Sequence, residues 1–183
     1  MIHKLSTVKN LSLSSQCALW LSLLFIIFLS SCWYAEEPSQ IIYPPDSIGP
    51  MKLKESKTGS EALKELFRLH GKRMGLANGY VGEYRGENGN ATVYYSVAKN
   101  EDISVRLLEF MVKRIGEGNK YFQGLKEERR GSFIFYSVTG MGQNHFFFRI
   151  ADKVIWIAAD APVAEMFLDE SLKIYLPQSS QIK

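Results

Sequence analysis

Apolar and polar positions fall into readable periods only from Ser60 onward. Ala62, Leu63, Leu66 and Phe67 share one side of a helix, with His70 extending that side, Ser60 in the capping position and Gly71 closing it. Residues 91–98 alternate, with Val93, Tyr95 and Val97 on one side and Thr92, Tyr94 and Ser96 on the other. That is the period of a half-buried strand. The preceding Asn88-Gly89 suits a tight hairpin whose central residues take positive φ. Asn100 caps the next helix, with Glu101 and Asp102 favourably placed at its positive end. Ile103, Leu107, Met111 and Ile115 recur every four residues along it, and Gly116 and Gly118 end it.

Four more strands are predicted, at 121–128, 132–139, 145–150 and 153–159. Asp160 is the expected cap of a last helix bearing Val163, Phe167, Leu168, Leu172 and Tyr175, stopped by Pro177. The order helix, two strands, helix, four strands, helix predicts an α+β domain over 60–177. Its expected core is a single antiparallel sheet with helices on one face. The segments beginning at Tyr95 and Trp156 share a pattern of aromatic strand, polar cap and amphipathic helix. They suggest two related strand-strand-helix halves. Residues 178–183 read as a frayed tail.

Upstream, 33–59 holds four prolines and scattered charge without a period, and reads as a tether. A flexible chain of that length spans about 30 Å. The alternative is that Ile41, Ile42 and Tyr43 dock as an edge strand. Residues 1–31 carry Lys4 and Lys9 but no acid, and enclose the 13-residue apolar run Cys17–Leu29. A membrane-spanning helix needs about 20 apolar residues. A charged start, a short apolar core and small residues after it describe a secretory signal. The alternative is an uncleaved anchor.

Leu29-Ser30-Ser31-Cys32 resembles the lipobox of bacterial lipoprotein precursors. The resemblance covers residues 1–33 alone. It implies cleavage before Cys32 and a diacylglyceryl group on its thiol, so the mature chain starts as a lipidated N-terminus on the outer side of the cytoplasmic membrane. Trp33 stands where an Asp favours inner-membrane retention in such proteins. The resemblance therefore implies the periplasmic face of the outer membrane where the host has one. Two or more acyl chains anchor a protein stably, whereas one does so weakly.

The formal net charge of +3 shrinks on this reading, because Lys4 and Lys9 leave with the signal. The remaining 152 residues (183 less 31) are almost neutral, which argues against a nucleic-acid partner. With Cys17 removed and Cys32 lipidated, no thiol is left for nucleophilic or redox chemistry.

Candidate chemistry is sparse. His70, Met74, Met141 and His145 offer the donor types of a copper site outside the cytoplasm, although nothing in the spacing brings the two pairs together. The glycine-rich stretch 139–145 lacks the Lys and hydroxyl of a phosphate loop. Glu83 and Glu87 have no partnering base. No cofactor and no catalytic residue is expected. Aromatic residues are abundant, and Phe146-Phe147-Phe148 must point to both faces of its strand. With helices on one face only, Tyr80, Tyr84, Tyr94 and Tyr136 become the candidate partner or ligand face on the other. The expected function is a non-enzymatic binding module at the cell envelope with a protein partner. The alternative is a carrier or sensor of a small apolar ligand in a closed pocket.

Overall fold

The strongest alternation in the sequence, residues 91–98, lies at the middle of the sheet. A computed structural model describes residues 40–70, 75–118 and 120–176. Its strands are β1 (Ser47–Ile48), β2 (Met51–Thr58), β3 (Leu76–Gly86), β4 (Gly89–Ala98), β5 (Phe122–Arg130), β6 (Phe133–Gly140), β7 (Gln143–Ile150) and β8 (Lys153–Ala159). The helices are α1 (Gly59–His70), α2 (Glu101–Gly116) and α3 (Ala164–Tyr175). The eight strands form one antiparallel sheet in the order β1-β2-β3-β4-β8-β7-β6-β5. The α+β class and the single antiparallel sheet are as expected. Among the described residues no helix is long and apolar enough to cross a membrane.

Three expectations are corrected. Residues 40–58 are not a tether: β2 pairs with β3 from Lys52↔Arg85 to Thr58↔Tyr80, so the domain begins well before Ser60. The helices are not confined to one face. Leu66 of α1 and Leu107, Met111 and Ile115 of α2 pack with Val81, Phe147, Val154 and Trp156. Phe167, Leu168 and Leu172 of α3 pack with the opposite side chains, Tyr80, Val93, Phe146, Phe148, Ile155 and Ile157. Strands β7 and β8 are buried on both sides, and their unbroken apolar runs follow from that. The proposed halves also differ: Tyr95 faces the α3 layer, whereas Trp156, its counterpart, faces the α2 layer.

Local chemistry explains the joins. Asn100 Oδ1 accepts the Ile103 amide at 3.0 Å, the cap the sequence predicted. Asp160 does not cap α3, whose N-cap is Val163. Its carboxylate instead accepts from the Asn90 amide (2.8 Å), Asn90 Nδ2 (3.1 Å) and Gln143 Nε2 (2.9 Å), tying two hairpins together. The β3–β4 turn is centred on Glu87-Asn88, neither with positive φ. The turn with two positive-φ centres is Met141-Gly142, between β6 and β7. Gly79 is required by close approach: a Cβ there would sit 2.3 Å from the Tyr95 carbonyl and 2.6 Å from Leu66 of α1.

Candidate functional site

The four tyrosines of the expected binding face divide between the two layers. Antiparallel partners share a face, and β3 pairs with β4 as Tyr80↔Tyr95 and Val81↔Tyr94. Tyr80 and Tyr84 therefore point to the α3 side, where they are 2% and 1% exposed. Tyr80 stacks on Tyr95 at 4.8 Å and shares a 2.6 Å hydrogen bond with the Tyr175 hydroxyl. Burial holds the Tyr80, Tyr84 and Tyr175 hydroxyls well above the ordinary phenol range, and takes Tyr95 to about 12. These are core residues and not a free binding face.

This layer is covered by the segment 40–46 as well as by α3. Asn78 Nδ2 donates to the Gln40 carbonyl at 2.7 Å, Tyr84 Oη to the Pro45 carbonyl at 3.0 Å, and the Leu53 amide to the Asp46 carbonyl at 2.9 Å. Ile42 packs on the core and Pro44 is buried over Gly82. The segment thus docks, but across the sheet face as a strap and not as an edge strand.

Tyr94 and Tyr136 lie on the other face, half-buried, in one cross-strand row: Val81, Tyr94, Trp156, Phe147, Tyr136, Glu127. Phe147 stacks on Trp156 at 4.9 Å and on Tyr136 at 5.4 Å. Tyr136 Oη donates to Glu127 at 3.3 Å, and the neighbouring Ile134 is 39% exposed. Of the four expected contact residues, Tyr136 alone adjoins an exposed large apolar side chain on its own strand. Ile134 was not singled out by the sequence reading, and its strand parity with Tyr136 was the available signal.

Beside this row, Trp156 Nε1 donates to His145 Nδ1 at 3.1 Å. His145 Nε2 therefore carries the proton and donates to the Gly140 carbonyl at 2.9 Å. Burial lowers the His145 pKa, against a smaller opposing effect from Gly140. Both ring nitrogens are occupied, and the imidazole is a neutral bracket between β8 and the β6–β7 turn. Met141 in that turn is exposed. His70's side chain and Met74 lie outside the described residues, as does the lipidation candidate Cys32. Among the described residues no three His, Cys, Asp or Glu side chains group as metal ligands. Glu83 sits within β3 and Glu87 in the following turn, so they do not converge.

Three recesses lie among the described residues that bear on the expected site. One, of about 170 Å³, is lined by Lys126, Glu128, Ser137, Thr139, Asn144 and Glu165, with the Ser137 hydroxyl donating to Glu128. A second, of about 450 Å³, lies under the end of α2, between Ile115, Phe122 and Leu125, and a third, of about 130 Å³, is lined by Glu55, Ser56, Lys57, Glu61 and Glu83. No protein-family model matches the chain, and no curated protein or solved structure is significantly similar to it.

Proposed function

We propose that the chain is a lipid-anchored, non-enzymatic module of a bacterial cell envelope that binds a protein partner there. The observation that carries this reading is Leu29-Ser30-Ser31-Cys32 at the end of a short apolar run with no acidic residue before it. The destination is the periplasmic face of the outer membrane where the host has one, on the strength of Trp33. The engaged state of His145 supports a binding role over acid–base chemistry. The partner surface moves from the four tyrosines to the corner of β5 and β6 bearing Tyr136 and Ile134, with Glu127 and Arg129 around it.

Intact mass of the protein extracted from its native membrane tests the anchor. The expected mass is a chain starting at Cys32 plus acyl groups, absent in Cys32→Ser. A full-length mass would overturn the reading and restore both thiols. For the partner surface, the double change Ile134→Ser, Tyr136→Ser should abolish co-purification of a defined envelope protein while leaving the fold intact. Unchanged co-purification would overturn this placement. The second reading, a carrier of a small apolar ligand, would use the recess under α2, between Ile115, Phe122 and Leu125. A lipid-sized adduct in native mass spectra would support it over a protein partner.

A further inference from the structure

The strap that covers Tyr80 and Tyr84 has two sides. Its backbone is pinned at Gln40, Pro45 and Asp46, by Asn78, Tyr84 and Leu53 respectively. Side chains along an extended backbone alternate. Ile42 and Pro44 point into the domain, and Ile41 and Tyr43 point away from it, 48% and 69% exposed. Scattered apolar residues on a surface need no explanation. These two are adjacent on one side of a segment whose inner side is fixed, so their outward direction is built in.

Their position along the chain names the occupant. Gln40 lies eight residues after Cys32, a reach of at most about 28 Å even when fully extended. The 27-residue tether expected from composition would have let the domain stand clear of the bilayer, whereas the short link holds the strap within that distance of the acyl anchor. A second contact joined through so short a link meets an effective concentration in the millimolar range. A tyrosine ring with its hydroxyl, beside a branched aliphatic side chain, suits the boundary between headgroups and acyl chains.

We infer that Ile41 and Tyr43 seat on the lipid surface that carries the anchor, so that the strap orients the domain as well as closing its core. The inference rests on the lipid-anchored reading. It makes Asn78 and Tyr84 positioning residues for a membrane contact, acting through the strap's backbone.

The test uses the full chain, processed and lipidated in cells, with Tyr43→Cys as the labelling site. On the anchored reading Cys17 is removed and Cys32 is blocked, so the new thiol takes a spin label alone. The protein is placed in vesicles of phosphatidylethanolamine and phosphatidylglycerol. Lys113→Cys on α2, whose native side chain is 76% exposed, serves as the comparison. At position 43, relaxation by oxygen should exceed that by a water-soluble nickel chelate several-fold, with the order reversed at 113. Ile41→Cys should behave like Tyr43→Cys. Equal access of the nickel chelate at 43 and 113, in protein whose mass includes the acyl groups, would overturn the contact. Shielding of 43 from both relaxants would also overturn it, because a protein would then cover the strap. A chain without acyl mass would overturn the anchored reading beneath it, a result separable from the other two.

Discussion

The two faces of the sheet are closed by different means. The α3 face is sealed by interlocked aromatic rings, with Phe167 tilted on Tyr84 at 5.4 Å and Phe133 edge-on to Phe148 at 5.2 Å, and by a backbone strap. The α1–α2 face carries a buried polar bracket, Trp156 to His145 to Gly140, and its aromatic row runs out to half-exposed Tyr136. The first face gains mostly from apolar burial, and its buried tyrosine hydroxyls, held above the ordinary phenol range, make it sensitive to alkaline pH only. The second includes a titratable group held neutral. One sheet can therefore have a side indifferent to mild acid and a side whose stability falls there and whose edge is open to contacts.

The largest way to break this comparison is a core deletion on either side. Phe167→Ala on the α3 face should cost about 4 kcal/mol, and Leu107→Ala on the other about 3 kcal/mol. Both should give one cooperative denaturant transition, because the strands are shared by the two layers. Two separated transitions would show that the faces melt independently.

Next comes the His145 bracket. His145→Ala leaves the Trp156 N–H and the Gly140 carbonyl unpaired and should cost about 3 kcal/mol. The wild-type protein should also lose stability as pH falls below the ordinary histidine value of 6.5. There the unfolded chain takes up a proton that the buried imidazole refuses, until the lowered folded-state pKa is passed. That loss should be missing from His145→Ala when denaturant melts are compared between pH 7.5 and 5.

Asp160 gives a separate, more acidic window. Its pKa is lowered first by Gln143 and then by Asn90, so its contribution is full above the usual 3.8 and fades as pH falls through the lower folded-state value. Asp160→Ala should cost about 1 kcal/mol at pH 7, since the carboxylate is largely solvated, and should flatten stability below pH 4.

The strap offers a finer test. Tyr84→Phe removes one hydrogen bond and should cost about 1 kcal/mol. It should raise hydrogen exchange locally, in residues 41–48, while α2 stays protected. The smallest effect belongs to Ile134→Ser, a surface change expected within 0.5 kcal/mol, which makes it a clean probe of partner binding.

The sequence was most legible where local chemistry suffices. The α2 helix, its Asn100 cap and the β7 and β8 strands lie where periodicity places them, because side-chain spacing and capping act over a few residues. Strand β2 was missed because Lys52, Lys54, Glu55 and Ser56 look like linker. Polar and charged side chains are what a strand near a sheet edge tolerates. The candidate site failed on parity. Tyr84 and Tyr94 are both even-numbered, yet the two-residue turn pairs even positions of β3 with odd positions of β4. Phe146-Phe147-Phe148 was rightly seen to need two faces. Its plainer meaning was that both faces are covered.

By itself the sequence determined the helices, most strands, the hairpin order and the lipobox resemblance on which the proposed anchor at Cys32 rests, all of which depend on neighbours along the chain. Only the tertiary structure decided which layer receives α3, and that 40–46 folds back as a strap. It also decided that His145 meets Trp156 and that Tyr80 and Tyr136 lie on opposite faces of the sheet. The layer split depends on pairing β4 with β8, residues about sixty positions apart, the strap on Asn78 and Tyr84 nearly forty positions away, and the His145 contact on the register of the β7–β8 hairpin. Register between distant strands is set by the packing of whole layers, which no local pattern encodes.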